Sequence, residues 1–195
     1  MAKWKVGITG GIGSGKTYCA HIFALLGVPV YYSDDRAKYL MTTDPEVKGQ
    51  LVELLGPKVY DEDGSLNKDF MRQQVFENSS TRDAINAIVH PAVGSDHQRW
   101  HEVQSPIYTL NEAALLVESG SYRRMDHLIM VRAPLALRTQ RIMARDSIDA
   151  LAVQKRMESQ FPDEAKEKVA DMIIDNSGCY PVFQQILDIH KKLIS

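Results

Sequence analysis

Eight consecutive residues, Gly10-Gly11-Ile12-Gly13-Ser14-Gly15-Lys16-Thr17, satisfy the spacing G-x-x-x-x-G-K-[ST], in which backbone N–H groups wrap the terminal phosphates of a nucleotide. Glycines keep side-chain bulk away from the phosphate oxygens, so Gly11, Ile12, Gly13, Ser14 and Gly15 offer main chain to the ligand. A helix starting behind them would add a fixed partial positive charge. Lys16 is placed to reach the β- and γ-phosphates, and Thr17 to give its hydroxyl to Mg2+. The chemistry read from this run is binding of a nucleoside triphosphate with Mg2+. The alternative, a merely flexible glycine-rich turn, does not account for a strand before the run and a helix after it.

Binding a triphosphate leaves the fate of the γ-phosphoryl group open between water, as in a motor or switch GTPase, and a second substrate, as in a kinase. A guanine-specific GTPase needs D-x-x-G and, far downstream, N-K-x-D. Here Asp61-Glu62-Asp63-Gly64 is followed three residues later by Asn67-Lys68-Asp69, which is one residue short. That spacing cannot serve γ-phosphate and base at once, so both runs read as turn and cap chemistry. Asp34 follows the second expected strand, at the edge of a parallel sheet where ligands bind, and can accept a hydroxyl proton as the phosphoryl group arrives. It or Ser33 could equally cap the next helix, and the two roles are compatible. Arg138, Arg141 and Arg145 share one face of a continuous helix, either as a solvated stripe or as cations closing over the phosphates. The metal-side carboxylate is Glu112 or Glu118, each next to an apolar run.

The elements that must position these groups follow from hydrophobic periodicity. Strand-like runs at 3–9, 28–33, 106–110, 127–133 and 172–175 alternate with helical patterns, the first helix running over 17–26 with Gly27 as its stop. That alternation predicts an α/β fold with a doubly wound parallel sheet covered on both faces, a three-layer α/β/α arrangement. Residues 34–104 contain no convincing strand. There, Asp44-Pro45-Glu46 opens a helix carrying Val47, Leu51, Leu54 and Leu55 and closed by Gly56. Asn67 is placed to cap a helix through Phe76, and Ser80 or Thr81 another through Val89, with His90-Pro91 as a helix-ending turn. The chain of 195 residues is expected to be one domain with a helical insertion.

Composition narrows the partners. A formal net charge of −2 argues against a nucleic-acid footprint but is compatible with a small anionic ligand in a local basic pocket. Cys19 and Cys179 form no C-x-x-C pair, the amino terminus leads straight into a strand, and no run of about 18 apolar residues occurs, so a cytoplasmic location is expected.

Taken in order, several blocks make a longer pattern. They are Thr9 to Thr17; Pro29-Val30 leading to Asp34 with Ala37-Lys38; Leu66-Asn67 leading to Val75-Phe76; Val89-His90-Pro91; Leu115-Leu116-Val117-Glu118; Arg145-Asp146; Gln160; and Ala170-Asp171 leading to Ile174-Asp175-Asn176. Together they resemble the dephospho-coenzyme A kinase family over nearly the whole chain. The resemblance implies a P-loop fold and transfer of the ATP γ-phosphoryl group to the ribose 3′-hydroxyl of dephospho-CoA, giving CoA and ADP in the last step of CoA biosynthesis. It further implies a nucleotide-binding core over 1–33, 106–140 and 168–195, a helical acceptor-binding region over 34–105, and a lid over 141–167. By the same resemblance Asp34 is the base, His90 and Glu118 belong to acceptor binding, Arg141 and Arg145 to the lid, and Asn176 lies along adenine. Tyr32, Tyr18 and Ala114 depart from residues common in the family, at positions the chemistry does not require. Rival readings are a kinase for another small acceptor and an NTP-hydrolysing regulator; acceptor-dependent ADP release separates them.

Overall fold

The computed structural model describes residues 3–77 and 79–195, with side chains described outside 75–79; the side chains of the Val75-Phe76 block therefore lie outside the described set. In chain order the elements are β1 (Trp4–Thr9), α1 (Lys16–Leu25), β2 (Val30–Tyr32), α2 (Ser33–Thr43), α3 (Pro45–Leu55), α4 (Lys68–Glu77), α5 (Ser79–Glu102), β3 (Tyr108–Glu112), β4 (His127–Arg132), α6 (Leu135–Asp146), α7 (Ala150–Glu158), α8 (Asp163–Glu167), β5 (Met172–Asp175) and α9 (Val182–Ile194). The chain divides into two compact units, one running to Tyr32 and resuming at Val103, the other Ser33–Glu102.

In the first unit all five strands are parallel and lie in the order β2-β3-β1-β4-β5. β1 is paired on both edges, which explains its apolar sequence: Val6 and Ile8 are fully buried. α1 and α9 cover one face, placing Phe23, Ile186 and Ile189 against Ile8, Leu110 and Ile174. On the other face Leu116 and Val117 pack with Leu128 of β4, and Val169 and Ala170 pack against this cluster. The chain leaves β1 through α1 to β2 on one side of the sheet, whereas β3 connects past β1 to β4 on the other, so the loop after β1 sits at the topological switch point of the sheet.

One strand is displaced from its expected place. β3 occupies Tyr108–Glu112 rather than 106–110, because Asn111 and Glu112 are paired on both edges, with Gly7 and Ile8 of β1 and with Tyr31 and Tyr32 of β2. Two polar residues at the end of a central strand are invisible to a search for apolar runs. The displacement matters, since it makes Glu112 a strand residue with a buried side chain.

The helical unit has its own core, formed by Val47, Leu51, Val59, Met71, Ile85 and Val89. The Asp44 carboxylate caps α3 by accepting from Glu46 N–H at 2.9 Å and Val47 N–H at 3.2 Å, and Asn67 caps α4 by accepting from Phe70 N–H at 3.0 Å. α5 does not stop at Val89; it continues through His90-Pro91 to Glu102. Pro91 costs one intrahelical hydrogen bond, that of the Ala87 carbonyl. The cost is met by packing on both sides of it, with Ile85 and Val89 before, Ala92 and Val93 after, and the Arg36–Asp96 pair beyond, two hydrogen bonds of 2.9 Å each. Among the described residues, no helix is long and apolar enough to cross a membrane.

Candidate active site

The loop between β1 and α1 takes its shape from glycine. Gly15 adopts φ +94°, a left-handed conformation costly for any residue with a Cβ, and forms the N-cap of α1 with no side chain satisfying the first N–H groups. A Cβ at Gly15 would run into the Asn176 amide, and one at Gly11 into the Arg138 guanidinium. The first turn of α1 is thus left open for an anion, with a positive end of the helix dipole behind it.

Lys16 and Thr17, the first residues of α1, meet the end of β3. Lys16 Nζ lies 3.6 Å from Glu112 Oε1, and the Thr17 hydroxyl donates to the same oxygen at 3.3 Å. Both members of the ion pair are largely buried, 15% and 6% exposed, so the carboxylate and ammonium compensate each other's desolvation. Glu112 is therefore the acidic residue beside the loop. Glu118 lies elsewhere: it pairs with Lys166 at 2.8 Å and accepts from Phe161 N–H at 3.0 Å.

The arginine stripe on α6 is split by burial. Arg138 is only 7% exposed; its Nε donates to Ile12 O at 2.9 Å and its Nη1 to Asp163 at 2.7 Å. Arg141 donates to Gly13 O (3.4 Å), Ser14 O (3.5 Å) and Asn176 O (3.2 Å). Arg145 faces solvent and is held by Asp146, which also binds Arg156. Those two guanidinium groups, Arg145 first, keep the Asp146 carboxyl below the usual carboxylate range.

Asn176 follows β5 immediately and is buried; its side-chain amide donates to Ser14 O at 2.8 Å and its N–H to Arg132 O at 2.8 Å. Neighbouring Asp175 is held below its ordinary pKa chiefly by hydrogen bonds from Ser177, with Arg132 adding to them. Beneath the loop, burial pushes the Cys19 thiol up to about 12, against the opposing field of Arg141. The loop 10–17, Glu112, Arg141 and Asn176 are thus joined in one unit. Asp34 and His90 belong to the helical unit, Asp34 in the first turn of α2, two residues after the end of β2, and His90 in the middle of α5.

Sequence reasoning missed Asp163, Lys166 and the main-chain role of Arg138. A lysine or aspartate in a short charged stretch such as α8 carries no local mark of burial, although Lys166 is fully buried. Gln160 belonged to the family pattern without a role; its Oε1 accepts from Ile12 N–H at 2.8 Å.

A sequence profile described as dephospho-CoA kinase matches residues 4–181. The dephospho-CoA kinase of Bacteroides fragilis is 38% identical over 186 residues, covering 95% of this chain and 90% of that protein. The crystal structure of TT1252 from Thermus thermophilus superposes with a TM-score of 0.88 at 28% identity, over 100% of both chains. The dephospho-CoA kinase of Campylobacter jejuni shares the fold, with a TM-score of 0.70 at 22% identity over 97% of this chain and 96% of that one.

Proposed function

The chain belongs to the dephospho-CoA kinase family, kinases of the last step of CoA biosynthesis, and from that membership we propose how its residues divide the work. Loop residues 11–17 bind the phosphates of ATP, Lys16 and Arg141 balance charge on the transferring group, and Asn176 lines the adenine side. Asp34 takes the proton of the ribose 3′-hydroxyl of dephospho-CoA. His90 belongs to acceptor binding. The carrying observation is the meeting of Lys16, Thr17 and Glu112 within 3.6 Å beside an open helix N-terminus.

In this reading the hydroxyl oxygen bonds to the γ-phosphorus, the bond to the ADP oxygen breaks, and the hydroxyl proton passes to the Asp34 carboxylate. Little covalent work falls to the protein; it aligns the reactants, balances charge and excludes water. The donor set fits Mg2+, because Thr17 and Glu112 supply hard oxygen atoms at one point and Thr17 is exposed there. When bound, the ion would neutralise charge on the β- and γ-phosphates. Of the two acids left open for the metal side, this reading takes Glu112, and Glu118, with two protein partners, supports the nucleotide side indirectly instead of binding the acceptor. A cytoplasmic location is supported by two free thiols, the buried Cys19 and the exposed Cys179.

The test is Mg-ATP turnover by the full chain with and without dephospho-CoA, the product resolved by mass. The expected result is a product heavier by one phosphoryl group, formed only with acceptor, and lost in Asp34→Asn while ATP binding persists. Hydrolysis indifferent to the acceptor would sink the proposal, and normal turnover in Asp34→Asn would remove Asp34 from the base role.

A further inference from the structure

We infer that residues 160–166 form a strap that positions the phosphate-binding loop, with Gln160 as the positioning residue for the Ile12 peptide and the Glu118–Lys166 pair as the strap's buried anchor. The inference rests on the phosphate-binding role proposed above for the loop. Within the loop the Ser14 N–H donates to Gly11 O at 3.0 Å, on the peptide that carries the Ile12 N–H, but the flanking Gly11 and Gly13 leave the Ile12 peptide groups otherwise free to rotate. Two contacts from outside the loop hold them. Gln160 Oε1 accepts from Ile12 N–H at 2.8 Å, and Arg138 Nε donates to Ile12 O at 2.9 Å.

Both contacts lead to the same short segment. Gln160 lies in it, and Arg138 is bound to Asp163 at 2.7 Å, the first residue of α8. The segment is in turn fastened below. Glu118 accepts from Phe161 N–H at 3.0 Å and pairs at 2.8 Å with Lys166, whose side chain is fully buried. A buried ammonium with one carboxylate partner cannot leave that partner without a large desolvation cost, so the pair fixes where the segment sits. From this anchor, Phe161 and Gln160 are adjacent in the chain, and the position of one sets the reach of the other. Glu118 thus acts on the nucleotide site through the strap, not by touching substrate.

A loop already held in its binding conformation loses less entropy when ATP arrives; one held only at its ends must be ordered by the ligand. The experiment measures Mg-ATP affinity by calorimetry on the full chain without dephospho-CoA, together with steady-state kinetics and the thermal midpoint, for Gln160→Ala, Glu118→Gln and the double variant. Gln160→Ala is expected to raise the Kd and KM for ATP about tenfold, the cost of ordering roughly one residue. Its kcat at saturating ATP and KM for dephospho-CoA should stay near wild type, and its thermal midpoint should fall by no more than about 2–4 °C, the cost of one lost hydrogen bond. Glu118→Gln should also weaken ATP binding, and Gln160→Ala should cost clearly less in that background, because both act through one segment.

An unchanged or tighter Kd in Gln160→Ala overturns the strap, as does a parallel rise in both KM values with a thermal midpoint fallen beyond that range. Full additivity of the two substitutions overturns the anchor. A wild-type chain that binds ATP but phosphorylates no dephospho-CoA overturns the acceptor assignment, while the strap is still decided by the calorimetric Kd.

Discussion

Replacing Arg138 by methionine keeps the aliphatic stem and removes the guanidinium, which isolates what its hydrogen bonds contribute. Two are lost: the charge-assisted contact to Asp163 at 2.7 Å and the contact to Ile12 O at 2.9 Å. The Arg138 side chain is 8% exposed but Asp163 is 30% exposed, so the abandoned carboxylate turns to water and the loss stays below that of a fully buried pair. About 1–2 kcal/mol for the charged contact and about 1 kcal/mol for the carbonyl left without its donor gives roughly 2–3 kcal/mol. For a chain of this length about 1 kcal/mol moves the midpoint by 2–4 °C, so a fall of roughly 5–10 °C is expected. Thermal and urea unfolding at pH 7, followed by circular dichroism, measure it. A loss under about 1 kcal/mol would refute the view that this arginine is a structural link and return the stripe to a solvated surface.

Gly15→Ala places a Cβ at φ +94° and against the Asn176 amide; a loss of about 2 kcal/mol is expected from the backbone conformation and the displaced Asn176–Ser14 hydrogen bond. Thermal unfolding with ATP titration checks it, and wild-type values in both would mean that the loop tolerates a side chain there. Cys19 is buried with its thiol pushed up to about 12 from an ordinary 9.0, whereas Cys179 is exposed. A thiol reagent at pH 8 should therefore count one reactive cysteine in the native protein and two in denaturant; two in the native protein would contradict the packing of α1. The same shift has a pH consequence. Below pH 9 the thiol is protonated in both states; above it the unfolded chain ionises first, so Cys19 lowers stability progressively as pH rises towards 12. Urea midpoints in wild type and Cys19→Ala should show that extra loss only in the wild type.

Much of the architecture was legible because it is written in local rules. The left-handed glycines after β1 and the Asp44 and Asn67 caps are satisfied by neighbours along the chain, and the apolar run of β1 and the alternation of strand and helix show in the residue pattern itself. The places where local reading went astray share a cause. β3 extends to Glu112 because two flanking strands supply its hydrogen-bond partners, and α5 crosses Pro91 because packing on a core outweighs one missing bond. In both, a tertiary contact overrode what the residue types prefer alone.

The amino-acid sequence by itself determined that a phosphate-binding loop would follow a buried strand and open a helix, since glycine, lysine and threonine at that spacing permit the conformation whatever surrounds it. It also carried the family pattern. Only the tertiary structure decided which charges meet. Three arginines at successive spacings of three and four residues took three fates, Arg138 on Ile12 and Asp163, Arg141 on the loop carbonyls, Arg145 on Asp146. Two glutamates near one strand parted in the same way, Glu112 to Lys16 and Glu118 to Lys166. The physical reason is that a side chain's conformational preferences act over a few residues, whereas the energy of a charge depends on its burial and on partners that the chain brings from far away in sequence.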